Sequence, residues 1–154
     1  MAYYEKTDDC LYCYKHAEVL KISPWGENSI RVQSRVMGEI EQNEYALANP
    51  EKTNVQIEID EDKVILKNGK ITVEVSTENN CLKFLNQKGE ILLEEYYGAM
   101  PARSYNHLSG NSFALEVTFK ANKAEHIYGM GQYQQDFIDL FGNILSPVIK
   151  ILKV

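Results

Sequence analysis

Short runs in which apolar and polar residues alternate, separated by turn-forming residues, recur along most of this chain and constrain its fold more than any other feature. Residues 55–59 form one such run, and residues 71–75 form another. A period of two residues is typical of a β-strand with one buried face. No stretch sustains the period of a helix, so roughly eight to ten short strands predict an all-β fold, an antiparallel β-sandwich.

Turn signals between the runs predict hairpins. Asn68-Gly69 is the strongest of these signals, because a type I′ turn needs positive φ angles at both central residues. Gln87-Lys88-Gly89 predicts a second hairpin. Residues 12–22 alternate without a turn signal and predict one strand, which residues 23–28 connect to an extended run at residues 29–37.

Charge and hydropathy exclude two classes of partner. The 154-residue chain carries a net charge of -6 at pH 7 and has no basic stripe that could neutralise phosphates. We therefore expect no binding to nucleic acid or to an anionic membrane surface. The chain has no run of about 18 apolar residues, and residues 1–9 lack the basic and then apolar order of a signal peptide. These features predict a cytoplasmic protein.

Residues that could bind metal or act in catalysis are present, but their patterns are incomplete. Cys10 and Cys13 form a lone pair without the second pair of a zinc site. Asp60-Glu61-Asp62 lacks the glycine and the distal glutamate of a calcium loop. Glu94 and Glu95 are neighbours in a strand-like run, so their side chains point to opposite faces and cannot act on one substrate atom. The sequence predicts no metal, no cofactor and no catalytic residue.

Residues 126–134, His-Ile-Tyr-Gly-Met-Gly-Gln-Tyr-Gln, contain two glycines one residue apart, directly after a strand-like run. Such glycines mark a tight turn or a close approach of two backbones. The segment lacks the third glycine and the following helix of a dinucleotide site, and it lacks the Gly-Lys-Ser/Thr of a phosphate loop. From its residues alone, the segment predicts a turn at the end of a strand.

The same segment resembles a known family motif. Residues 127–132 are similar to the Tyr-Gly-hydrophobic-Gly-Glu/Gln segment that closes the N-terminal β-sandwich of glycoside hydrolase family 31, the α-glucosidases and α-xylosidases. Residues 22–32, 68–75 and 82–93 resemble further stretches of that domain and occur in the family's order. Gln132 stands where many members have Glu, and Gly-Met-Gly-Gln-Tyr-Gln looks most like the α-xylosidase side of the family.

The resemblance implies a fold and also implies what this chain does not contain. The family's N-terminal domain is a galactose-mutarotase-like sandwich packed against a catalytic (β/α)₈ barrel, and residues 1–142 are expected to form that sandwich. Family 31 enzymes are retaining α-glycosidases whose two catalytic aspartates lie on the barrel. The nucleophile motif, similar to Trp-x-Asp-Met-Asn-Glu, is absent from this sequence. We therefore expect the chain alone to be inactive.

The expected function is that of a non-catalytic N-terminal domain, which supports the barrel and borders its sugar pocket. The barrel is then the partner, and an α-linked sugar binds only in the complete enzyme. The residues expected to border the pocket are Met130, Gln132, Tyr133 and Gln134. One alternative is a stand-alone carbohydrate-binding module, for which the possible stacking residues are Trp25, Tyr96 and Tyr97. Another is an oligomerisation domain.

The last residues, 143–154, differ from the family, and the resemblance ends at Gly142. They form an apolar tail whose β-branched residues favour a strand. Left in water, such a tail would create a larger apolar patch than monomers usually show. We expect it either to fold back over the surface that faces the barrel or to pair with a second chain, which would make a homo-oligomer.

Overall fold

The computed structural model describes residues 2–40, 50–110 and 112–121, which contain eleven β-strands and no helix. All paired strands are antiparallel, as the alternating runs predict. The chain divides into two compact units, Met1–Glu94 and Glu95–Val154. The predicted boundary after Gly142 lies outside the described residues. In the described ranges no helix is long and apolar enough to cross a bilayer.

The first unit contains two sheets, each of which follows the order of the chain. The four strands of the first sheet are β1 (Tyr3–Lys6), β2 (Leu11–Lys15), β3 (Glu18–Pro24) and β4 (Ile30–Val36). The five strands of the second sheet are β5 (Val55–Ile59), β6 (Lys63–Asn68), β7 (Ile71–Ser76), β8 (Leu82–Leu85) and β9 (Ile91–Glu94). Consecutive strands are neighbours because short loops join them directly.

One hydrophobic cluster joins the inner faces of the two sheets, which makes the first unit a β-sandwich. The first sheet contributes Leu11, Cys13, Leu20 and Ile22, and the second contributes Val64, Leu66, Val73, Val75 and Leu82. These side chains alternate along each strand with residues that face outward. Each large aliphatic side chain that is fully buried contributes about 1.5–3 kcal/mol. The predicted all-β sandwich is confirmed.

The prediction of a single strand over residues 12–22 was wrong. Two strands, β2 and β3, occupy this stretch, and a two-residue loop of His16 and Ala17 joins them, with His16 at a φ of 55°. The loop places Cys13 opposite Leu20, so both point into the core, and Tyr12 faces outward. The sequence hides this reversal because alternation continues through the loop and neither loop residue is a typical turn former.

Two predicted hairpins are confirmed, one of them with a shift of one residue. The loop between β8 and β9 contains Gln87-Lys88-Gly89, and Gly89 has a φ of 78°. The loop between β6 and β7 consists of Gly69 and Lys70, whereas Asn68 pairs with Ile71 inside the ladder. Asn68 is therefore a strand residue and not the first central residue of the turn.

The second unit contains a two-stranded ribbon made of β10 (Arg103–His107) and β11 (Phe113–Val117). A single bridge joins Glu95 to Phe119 in the same unit. At the end of the ribbon next to the connecting loop, the His107 ring packs edge-on against Phe113, with 5.3 Å between the ring centroids. The Glu95–Phe119 bridge positions the segment that carries Tyr96 and Tyr97.

Candidate functional site

Trp25 lies in the loop between β3 and β4, at one end of the sandwich. The Trp25 backbone N–H donates to the Ser29 carbonyl at 3.0 Å, which closes the loop. Gly26 and Asn28 adopt positive φ angles of 72° and 60°. Glycine and asparagine are the residues that enter this region at the lowest steric cost, so the local sequence suits the turn.

The Asn68 side chain connects this loop to the second sheet. Asn68 is only 1% exposed, and its Nδ2 donates to the Gly26 carbonyl at 2.8 Å and to the Ser29 carbonyl at 2.7 Å. In the other direction, the Lys70 N–H donates to Asn28 Oδ1 at 2.7 Å. These three bonds fix the Trp25 loop against the β6–β7 hairpin. The turn begins after Asn68, so the Asn68 side chain lies at the end of β6, where it reaches both carbonyls.

Gly69 is required at this contact for two reasons. Its φ is 58°, and a Cβ atom at this position would lie 2.3 Å from Asn28 Oδ1. That separation is far below a van der Waals contact, so any other residue would push the Asn28 side chain away from the Lys70 N–H. The glycine of the predicted Asn-Gly signal therefore serves a contact between sheets as well as a turn.

The Trp25 ring already has a cation on one face. The Arg31 guanidinium carbon lies 4.6 Å from the ring centroid, a cation–π arrangement that stabilises both side chains. A sugar could stack only on the other face. The stacking role of Trp25 stays a prediction.

Tyr96 and Tyr97 are about half exposed and follow a buried ion pair. Glu95 and Arg103 contact each other through Oε2 and Nη1, and both side chains are almost fully buried. The Tyr96 N–H donates to the Thr118 carbonyl at 2.9 Å, which holds the backbone beside β11. Burying a carboxylate requires a partner such as this guanidinium. Glu95 is therefore a structural residue that holds the segment before the two tyrosines.

Three tyrosines that were not predicted as site residues lie together on the outer face of the first sheet, here called the tyrosine face: Tyr3, Tyr12 and Tyr14. The Tyr14 ring centroid is 5.7 Å from that of Tyr3 and 6.3 Å from that of Tyr12. The ring planes differ by 35° and 16°, respectively. Tyr3 is directly opposite Tyr14 in the β1–β2 register. The spacing of Tyr12 and Tyr14 was a visible signal, but only the register brings Tyr3 beside them.

Charged groups surround the tyrosine face. Glu5 lies opposite Tyr12 on one neighbouring strand, and Lys21 lies opposite it on the other. Lys21 Nζ is 5.9 Å from the Tyr12 ring centroid, and the Tyr14 hydroxyl donates a long hydrogen bond of 3.5 Å to Glu5 Oε2. Burial and the nearby Glu5 carboxylate raise the pKa of Tyr14, so its phenol stays protonated and remains a donor.

The cysteines do not share a site. Cys13 packs in the core, and burial together with the Asp9 carboxylate raises the pKa of the Cys10 thiol. A raised pKa lowers the thiolate fraction near neutral pH, which makes Cys10 a poor nucleophile and a poor metal ligand. Over residues 2–40, 50–110 and 112–121, no three His, Cys, Asp or Glu side chains are arranged to hold a metal ion.

The predicted pocket-border residues Met130, Gln132, Tyr133 and Gln134 lie outside the described residues, as does the apolar tail at 143–154. Their roles stay predictions.

Comparison with protein families identifies the domain. Residues 19–147 match the glycosyl hydrolase 31 N-terminal galactose mutarotase-like domain. Among individual proteins, an uncharacterized family 31 glucosidase of Pseudescherichia vulneris is 34% identical over 146 residues. That alignment covers 81% of this chain and 27% of the relative.

Solved structures show the same likeness. A GH31 α-xylosidase from a soil metagenome, complexed with xylose, superposes with a TM-score of 0.78 at 33% identity. The match covers 89% of this chain and 23% of that one. The GH31 α-xylosidase of Xanthomonas citri has a TM-score of 0.74 at 25% identity, with 87% of this chain and 15% of that chain covered. This chain therefore spans about a quarter or less of the length of these relatives.

Proposed function

Because this chain belongs to glycoside hydrolase family 31, as its N-terminal galactose mutarotase-like domain, we propose that it is the non-catalytic domain of a retaining α-glycosidase of the α-xylosidase type. The observation that carries the proposal is the extent of the match. The soil-metagenome α-xylosidase aligns with 89% of this chain but has only 23% of its own length in the alignment. The remaining three quarters of such an enzyme are long enough to contain the barrel and its two catalytic aspartates.

The domain's role in the complete enzyme is to support the barrel and to contribute one loop, residues 130–134, to the border of the sugar pocket. The motif in this segment, Tyr-Gly-Met-Gly-Gln, supports this role because it resembles the segment that closes the family's N-terminal domain. The parent enzyme would then act on an α-linked xyloside.

The proposal also covers the environment of the chain. It includes a cytoplasmic location, and the charge of -6 supports the part of the proposal that excludes nucleic-acid and anionic membrane partners. The relatives do not support a stand-alone module or an oligomerisation domain, because these relatives are enzymes several times longer than this chain.

A domain exchange tests the proposal. Residues 1–142 would replace the corresponding domain of the soil-metagenome α-xylosidase, and hydrolysis of an aryl α-xyloside would be measured. We expect a folded, active chimera and no turnover by this chain alone, because the retaining mechanism needs both aspartates. A Gln132→Ala chimera should raise KM more than it lowers kcat, with Asn106→Ala as the matched exposed control.

Two results would contradict the proposal. One is turnover above the buffer control by the rigorously purified chain alone. The other is a chimera that is folded by circular dichroism, has a cooperative melt and yet lacks all activity.

A further inference from the structure

Asn68 stands in the sequence setting that most favours spontaneous deamidation, because the next residue is Gly69. In this reaction the backbone nitrogen of the following residue attacks the side-chain amide carbon of the asparagine, and a glycine has no side chain to shield that nitrogen. Residues 68 and 69 are the only Asn-Gly pair in the sequence. In an unfolded chain, Asn68 should therefore react faster than any other asparagine.

The fold restrains this reaction. Asn68 is a ladder residue of β6 and is only 1% exposed. Its Nδ2 donates to the Gly26 carbonyl at 2.8 Å and to the Ser29 carbonyl at 2.7 Å. Both bonds must break before the amide carbon can turn onto the Gly69 nitrogen. The reaction therefore requires the Trp25 loop to separate from the β6–β7 hairpin.

The same two bonds make the product of the reaction incompatible with the fold. Deamidation replaces the NH₂ group of Asn68 by a carboxylate oxygen, which accepts hydrogen bonds and cannot donate them. The Gly26 and Ser29 carbonyls are also acceptors, so three oxygens would face one another in a buried place. A buried charge without a partner is costly. The modified chain would lose this contact, and refolding could not restore it.

We propose that Asn68 is a modification site, at which transient separation of the Trp25 loop from the β6–β7 hairpin permits irreversible deamidation. The Gly69 nitrogen forms a bond to the Asn68 side-chain carbon, the bond from that carbon to Nδ2 breaks, and the Gly69 proton leaves with Nδ2 as ammonia. Water then opens the resulting ring at either of its two carbonyls, which yields aspartate or isoaspartate. The site does not depend on the proposed function.

Peptide mapping by mass spectrometry tests the proposal on the full chain, which is incubated at mildly alkaline pH with and without guanidinium chloride. In the denaturant, Asn68 should convert before the other asparagines. In buffer alone, its rate should be lower by about tenfold or more, which corresponds to an opening free energy of about 1.4 kcal/mol or more.

A matched pair of variants tests whether the contact controls the rate. Asn28→Gly loses the hydrogen bond to the Lys70 N–H, which belongs to the contact, and should raise the rate at Asn68 about twofold to tenfold in buffer. Thr77→Ala loses a bond of 3.1 Å to the Asp62 carbonyl at the opposite ends of β6 and β7. It should leave the rate at Asn68 unchanged.

Asn68→Asp represents the aspartate product. Near neutral pH it should be less stable to urea than Asn68→Ala, because a carboxylate faces the two carbonyls and an alanine does not. Burial beside these acceptors should raise the pKa of the new carboxyl group. The difference between the two variants should therefore narrow as pH falls, since the protonated group can donate to one carbonyl.

Three results would overturn the proposal. The first is an equal rate of conversion of Asn68 in buffer and in denaturant. The second is conversion in Asn28→Gly that is no faster than in Thr77→Ala. The third is an Asn68→Asp variant that is as stable as the original chain near neutral pH.

Discussion

The outer faces of the two sheets of the first unit differ, although both sheets cover the same core. The outer face of the second sheet has a row of alternating charges across its strands. Lys63 Nζ lies 3.8 Å from Glu74 Oε1, and Lys83 Nζ lies 3.8 Å from Glu94 Oε1. Glu74 is also directly opposite Lys83 in the register. The tyrosine face of the first sheet instead has ring-to-ring contacts, with a cation placed over one ring.

The difference shows which part of a sandwich is dictated by folding. Inner faces must be apolar because burial drives the two sheets together. Outer faces have no such requirement, and alternating charges are a common solution because they keep the surface soluble. A sheet that replaces charges with tyrosines departs from that solution, so its outer face is the more informative place to look for a partner.

The largest expected effect comes from changes that should not distinguish the two sheets. Leu20→Ala in the first sheet and Leu66→Ala in the second remove fully buried side chains from one shared core. Each should lower the free energy of unfolding by about 2–5 kcal/mol, as measured by urea denaturation. Val19→Ala, on the outer side of β3, is the control. A large loss for only one leucine would mean that the sheets do not share a core.

The second-largest expected effect concerns the hydrogen bonds between the Trp25 loop and the β6–β7 hairpin. Asn68→Ala removes two hydrogen bonds from a buried amide and leaves the Gly26 and Ser29 carbonyls without that partner. It should cost about 1–3 kcal/mol. Asn28→Gly keeps the positive φ and loses only the bond to the Lys70 N–H, so its cost should be smaller. Equal stability of the Asn68→Ala variant and the original chain would show that this contact does not stabilise the fold.

A smaller effect compares the outer faces directly. Tyr14→Ala removes ring contacts and should cost about 0.5–1.5 kcal/mol, whereas Lys83→Ala removes a partly exposed ion pair and should cost about 0–1 kcal/mol. Salt separates the two, because screening weakens ion pairs and not ring contacts. Repeating the denaturation in high salt should reduce only the Lys83→Ala effect. If both effects respond equally to salt, the two outer faces are not stabilised by different kinds of interaction.

The smallest effect is a pH dependence of the first sheet. Burial and the Glu5 carboxylate raise the pKa of Tyr14 above its usual value of 10.0. The folded state therefore holds this proton more tightly than the unfolded state, and the corresponding stability is complete below pH 10 and lost as pH rises through the folded pKa. Thermal melts of Tyr14→Phe should show a shallower decline above pH 10. Tyr4→Phe is the companion variant, since burial also raises the pKa of Tyr4. An unchanged decline in both variants would contradict this assignment.

Hairpins could be predicted from the sequence wherever the turn residues were typical ones. Gln87-Lys88-Gly89 marked a loop correctly because the Asn86 side chain accepts hydrogen bonds from the Lys88 and Glu90 N–H groups within the same turn. Asn68-Gly69 marked a hairpin but misplaced its loop by one residue, because the Asn68 amide bonds to carbonyls about forty positions earlier in the chain. His16 and Ala17 gave no signal at all, although they form a two-residue loop.

The candidate site was predictable only in part, because several of its side-chain contacts join residues of different strands. Tyr96 and Tyr97 are exposed aromatic residues after a strand end, and their sequence context suggested this. The ring contact between Trp25 and Arg31 depends on the pairing of β3 with β4, which no local pattern shows. The buried partner of Glu95 was equally hidden, because Arg103 reaches it from the β10–β11 ribbon.

The amino-acid sequence by itself determined the class of the fold and the family. Period-two alternation, turn residues and short motifs are local features that act on neighbouring residues, so they can be recognised without coordinates. Only the tertiary structure decided which side chains meet. The register of β1, β2 and β3 puts Tyr3 beside Tyr14 and places Tyr12 between Glu5 and Lys21. A shift of one residue in that register would turn these side chains toward the core, and the pairing of distant strands is what prevents it.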